Sequence, residues 1–106
     1  MLTPEQKAKW VAALRSGKYK QGFEGFLRTK QDEYCCLGVL YEVCEFGKWS
    51  NSTSEYPSRA WAIDSGRDGW LDEDLLSRDT QVVYASLNDQ AKKSFSEIAD
   101  YIEQNL

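Results

Sequence analysis

At 106 residues, 42% of them hydrophobic and with a net charge of −4, the chain has room for one domain, residues 1–106, and one core. Four Trp and six Tyr set it apart from disordered compositions. No apolar run approaches the ~18 residues of a membrane-spanning helix, and the polar start at residues 1–6 offers no secretion signal, so a non-membrane, cytoplasmic protein is expected.

Thr3-Pro4-Glu5-Gln6 is a helix start, with Thr3 as N-cap, Pro4 at the first helical position and Gln6 closing a capping box. Trp10, Val11 and Leu14 form its buried stripe, and Gly17 ends it after Ser16. A loop bracketed by Gly17 and Gly22 follows. Residues 23–27 and a short run through Tyr34 and Cys35 then read as two strands of a hairpin, with the polar residues 29–33 as its turn.

From Leu37 the period changes. Leu37, Leu40, Tyr41 and Cys44, widened by Val39, Val43 and Phe46, predict a central helix that Gly47 would stop. Residues 48–58 read as the least structured segment, and Pro57 as the start of a short helical turn through Trp61 and Ile63. Asp79 or Thr80 would cap a helix carrying Val82, Val83 and Leu87, interrupted at Asn88-Asp89-Gln90. Ser94-Phe95-Ser96-Glu97 is a second capping box, with Phe95, Ile98, Ile102 and Leu106 on one face of the last helix. The expected class is α+β, a β-hairpin packed against about four helices.

The absence of histidine removes Ser–His and Cys–His nucleophile pairs and every His-ligated metal site. Cys35, Cys36 and Cys44 are an odd number and include neighbours, which fits reduced thiols in a cytosol. Adjacent strand residues face opposite ways, so the three are poorly placed for zinc. No metal and no cofactor is expected, and no phosphate-loop or dinucleotide fingerprint is present. Asp72, Glu73 and Asp74 read as a solvated helix start rather than as an acid/base or metal pair. Cys35 and Cys36 stand where a strand hands over to a helix, which admits a stabilised thiolate or, the reading preferred here, two small core fillers.

Charge is unevenly distributed. Residues 1–30 carry seven Lys or Arg against two Glu, a net of +5, and the remainder carries −9. That balance argues against a nucleic-acid footprint over the whole domain. The chain closes at residues 94–106 with no room for a recognition helix, which argues against a helix-turn-helix. Arg15, Lys18, Lys20 and Arg28, interleaved with Tyr19 and Gln21, instead suggest a local anion site. Its alternative is a solvated basic loop with Tyr19 packed on the core.

Several segments share a pattern. KWVAALRSGKYKQG at residues 9–22 is followed by Leu27-Arg28, by YCCLGVL at 34–40, by Leu87-Asn88-Asp89 and by SFSEIADYIE at 94–103. In this order they resemble a family of small proteins encoded by bacteriophages and prophages. The resemblance implies a bacterial cytoplasm during infection, and it favours binding over catalysis.

Three hypotheses follow. The first is a binding protein that sequesters a small anionic, nucleotide-like ligand such as an immune signal to counter host defence. Arg15, Lys18, Tyr19, Lys20, Gln21, Arg28 and Cys36 would line its site, and Asn88 and Asp89 would read a base or ribose. The second is a protein–protein inhibitor of a host enzyme or defence effector, acting through its acidic surface or through Trp49, Tyr56 and Trp70. A thiol- or carboxylate-based enzyme ranks last. The sequence leaves homo-oligomerisation open.

Overall fold

In the computed structural model, the residues described are 2–23, 27–29, 32–45, 49–51, 59–62, 71 and 73–106. The first helix, α1 (Pro4–Arg15), begins as its sequence dictates. The Thr3 hydroxyl accepts from the Gln6 amide at 3.1 Å, and the Gln6 side chain accepts from the Thr3 amide at 2.9 Å. Trp10, Val11 and Leu14 are buried, and the chain turns away at Gly17 with φ +77°.

Three short strands follow: β1 (Lys20–Gln21), β2 (Arg28–Thr29) and β3 (Glu33–Tyr34). The expected hairpin exists, since β2 and β3 pair antiparallel with Arg28 opposite Tyr34. Its strands take in Thr29 and Glu33, both expected in the turn, whereas Phe23 and Leu27 are not in a strand and residues 24–26 lie outside the described residues. Leu27 is a buried bend whose carbonyl accepts from the Cys35 amide at 3.2 Å, so pairing begins at that point. Gly25 lies outside the described residues.

Pairing also extends beyond a hairpin. The strand order is β1-β3-β2-β5-β4, with β4 (Trp49–Asn51) and β5 (Arg59–Ala62) antiparallel to each other and β1 parallel to β3. The helical turn expected through Trp61 is therefore a strand. β2 offers its second edge, and Arg28 and Thr29 pair with Ala60 and Arg59. Pro57 and Ile63 lie outside the described residues, as does most of the segment expected to be least structured.

Helix α2 (Cys36–Val43) is central, with Cys36 through Tyr41 all buried. It starts one residue earlier than expected because the Cys35 sulfur caps it, accepting from the Gly38 amide at 3.4 Å. It ends at Cys44 rather than Gly47, with Glu45 in the left-handed region at φ 53°. Phe46 lies outside the described residues.

Helix α3 (Arg78–Asp89) is capped by Ser77, two or three residues before the expected cap, and it ends within the expected Asn88-Asp89-Gln90 segment, with Asp89 its last residue and Gln90 its C-cap. Its buried face also differs. Gln81, Tyr84 and Asn88 point inward, while Val82 and Val83 are 45% and 43% exposed. Hydrogen bonding explains the inversion. The Gln81 side chain accepts from the Leu71 amide and donates to the Leu71 and Leu76 carbonyls at 2.8–3.0 Å, so a buried polar residue fastens the segment before the helix.

Helix α4 (Phe95–Asn105) has the expected Ser94–Glu97 capping box and buries Phe95, Ile98, Ala99 and Ile102, whereas Leu106 is exposed. Trp10 ties the core together. Its indole donates to the Cys36 carbonyl at 2.8 Å, and its ring meets Tyr84 edge-on at 5.4 Å. Among the described residues this makes an α+β fold of four helices and a small mixed sheet. None of these helices is long and apolar enough to cross a membrane.

Candidate functional site

Strand alternation decides how the basic loop is laid out. Lys20 aligns with Glu33, and Gln21 with Tyr34, across the parallel pair, while Arg28 lies opposite Tyr34. Because successive strand residues face opposite ways, Gln21, Tyr34 and Arg28 share one face, and Lys20 and Glu33 share the other. The two cations expected to grip one anion are thus on opposite sides of the sheet.

Each of these cations also has a carboxylate partner. Lys20 reaches Glu33 at 3.3 Å, and Arg28 contacts Asp32 through Nε at 3.0 Å and Nη2 at 2.5 Å. The Arg28 guanidinium lies 5.5 Å from the centre of the Tyr34 ring, which Tyr19 meets edge-on at 5.2 Å. Arg15 is elsewhere, bound to Asp100 and Glu103 of α4 at 2.5 Å each. Lys18 is exposed beside the half-buried Tyr19.

Gln21, Asn88 and Asp89 do come together, as an internal clip. The Gln21 amide donates to Asn88 Oδ1 at 2.9 Å and to the Lys93 carbonyl at 2.7 Å. Asn88, fully buried, donates to the Gly22 carbonyl at 2.8 Å and to Asp89 at 2.7 Å. Three of Asn88's four hydrogen-bonding sites are filled from within the protein. Burial pushes the Asp89 carboxyl up.

Cys36 presents no surface to a ligand. It is fully buried, its thiol donates to the Tyr84 carbonyl at 3.4 Å, and burial pushes that thiol well above its ordinary range. Cys35 is pushed up to about 12 by burial, which outweighs the Gly38 amide at its sulfur. All three cysteines are free. In the native protein, iodoacetamide is therefore expected to label the half-buried Cys44 alone, with Cys35 and Cys36 reacting only after denaturation. Peptide mass mapping of the native protein checks this, and native labelling at Cys35 or Cys36 would contradict the buried placement.

The helices form a different concavity. Between α3 and α4 lies a cleft of about 290 Å³ lined by Leu87, Ile98 and Tyr101, with Lys93, Glu97, Asp100 and Gln104 at its edges. The exposed Val83 stands one turn before Leu87 and extends the apolar strip. Tyr101 is 38% exposed and rests edge-on against the buried Tyr84 at 5.6 Å, which holds the ring in place. Glu97 is kept charged at lower pH than usual by its bonds to Ser94.

The sequence signal for this cleft was the i, i+4 pair Val83–Leu87, which periodicity assigns to a core face as readily as to a surface strip. The side chain of Trp49, and all of Tyr56 and Trp70, lie outside the described residues.

Residues 2–74 match the family described as Domain of unknown function (DUF8296), and the chain belongs to that family. No curated protein and no solved structure matches the chain.

Proposed function

We propose that this protein works by binding, and that its partner is another protein seated on the α3–α4 cleft. The observation that carries this reading is the apolar strip of exposed Val83, half-buried Leu87 and exposed Tyr101 beside the charged residues of the cleft, with the Tyr101 ring resting edge-on against buried Tyr84. An anchored tyrosine at the centre of a partly apolar patch is the usual form of a binding hot spot. By resemblance to phage-encoded proteins, the partner we have in view is a host enzyme or defence effector in an infected bacterial cytoplasm, held in an inhibited state.

Sequestration of a small anionic, nucleotide-like ligand is the second reading, and one observation favours it. Lys18 and Lys20 are exposed, and the Lys20–Glu33 contact is a surface pair of roughly 0–1 kcal/mol that a phosphate would displace. The separation of Lys20 from Arg28 across the sheet weighs against a larger anion site.

Both readings meet in one experiment, with a photo-crosslinking residue at position 101 and native mass spectrometry of protein purified from infected cells. A protein adduct at position 101 supports the first. A retained nucleotide-sized mass with no adduct supports the second and sinks the first. For a captured protein, Tyr101→Ala should cost about 2 kcal/mol or more, roughly a thirtyfold loss of affinity by titration.

A further inference from the structure

The α3–α4 cleft combines an apolar floor, an aromatic ring and a carboxylate within one side chain's reach. Leu87 and Ile98 make the floor. The Tyr101 ring stands beside it, 38% exposed, with Tyr84 at 5.6 Å and the two rings at 82°. A near-perpendicular contact of this kind leaves at least one face of the Tyr101 ring uncovered by Tyr84. Glu97 lies one turn before Tyr101 on the same face of α4. Its Oε1 accepts from the Ser94 amide at 3.0 Å, and that bond holds the carboxyl below its ordinary range. A carboxylate accepts through two oxygens, so Glu97 keeps capacity for a further donor.

The charge around the cleft is negative by one. Among the described residues, Asp89, Glu97, Asp100 and Glu103 stand against Lys92, Lys93 and Arg15 at the cleft and its margins. Asp100 and Glu103 share the single Arg15 guanidinium, so the excess lies at the Tyr101 end. Lys93, the one cation that lines the cleft, sits two helical turns before Tyr101, roughly 12 Å along the axis. Screening at physiological salt acts over about 8 Å, so this ammonium opposes a second cation at Tyr101 only weakly.

A guanidinium group answers to all three features. Its plane stacks on the tyrosine ring, its N–H fork donates to the carboxylate, and its methylene stem covers the apolar floor. Lysine brings the same charge but neither the plane nor the fork. We infer that the partner anchors in the α3–α4 cleft through an arginine side chain held between Tyr101 and Glu97, which rests on the reading of this cleft as a protein-binding site. The charge of −9 over residues 31–106 draws a basic partner toward this half of the chain.

The probe is the capped peptide Gly-Leu-Arg-Leu-Gly, titrated into the full chain while amide chemical shifts of α4 are followed. Saturable shifts centred on Glu97 and Tyr101 are expected. Citrulline in place of the arginine keeps the shape without the charge and should weaken binding about tenfold. Glu97→Gln should weaken the arginine peptide as much while thermal unfolding stays unchanged, because glutamine also closes a capping box. Tyr101→Leu should cost about fivefold. A peptide indifferent to citrulline or to Glu97→Gln would overturn the inference. In infected cells, the protein adduct at position 101 should fall about tenfold with Glu97→Gln. An adduct undiminished by that substitution overturns the arginine alone, and no adduct in either background overturns the protein-binding reading beneath it as well.

Discussion

Gly38→Ala is expected to destabilise the protein by about 3 kcal/mol or more, the upper end of what overpacking costs. A Cβ at this position would lie 1.8 Å from the Leu27 carbonyl oxygen and 2.7 Å from its carbon. The obstacle is backbone, so no rotamer change relieves it. Moving that backbone would pull the Leu27 carbonyl from the Cys35 amide at 3.2 Å and disturb the start of the β2–β3 pairing. Against a total stability of roughly 5–15 kcal/mol, the change takes a large share or leaves no folded protein. Gly17→Ala is the control. Gly17 has φ +77°, and a methyl group there would meet nothing within 4 Å, so the substitution carries only backbone strain of roughly 1–2 kcal/mol. Urea unfolding followed by tryptophan fluorescence compares them. A loss below about 1 kcal/mol at Gly38 would mean that α2 and Leu27 are not in the contact described.

Gly38 also shows what the sequence could and could not disclose. Its place inside the helix predicted from Leu37 was legible, but the need for glycine was not, because the atom it avoids belongs to Leu27, whose approach is a tertiary fact. Local chemistry was read correctly at the two capping boxes, though not at Ser77, whose side chain also accepts from the amide three residues on. The capping boxes at Thr3 and Ser94 depend on side chains three residues apart, and both formed as expected. Elements governed by partners elsewhere were misread. β5 is a strand because β2 has an edge to pair with, and nothing in Arg59–Ala62 itself demands one.

The same distinction applies to α3 and to the candidate site. Hydropathy directs Val82 and Val83 inward, whereas Gln81 and Asn88 take the interior because distant carbonyls await their amides. In the loop, proximity in sequence grouped Lys20 with Arg28, and the alternation of paired strands separated them. Sequence reported the sum of charge correctly. The partner of each charge lay outside its reach, since Asp100 and Glu103 stand at the far end of the chain from Arg15.

Asn88→Ala is the remaining large effect, expected at roughly 2–4 kcal/mol. The substitution removes the donor to the buried Gly22 carbonyl and the acceptor for the Gln21 amide. A buried group left without its partner costs roughly 1–3 kcal/mol, and the missing side-chain volume adds to that. Gln21→Ala should cost less, since its side chain is half-exposed and water can replace part of what it loses. The two residues share one bond, so their effects should fall short of additivity by roughly 0.5 kcal/mol or more. Asn88→Asp sharpens the test through pH. A carboxyl buried there beside Asp89 would have its folded-state pKa raised above the unfolded value, by desolvation and by like charge. Its penalty should be full above the folded-state pKa and should lift as pH falls below the unfolded one. A ligand-reading Asn88 behaves differently, losing binding on substitution with stability unchanged. Unaltered urea midpoints for Asn88→Ala, at neutral and acid pH alike, would return this residue to a role in ligand contact.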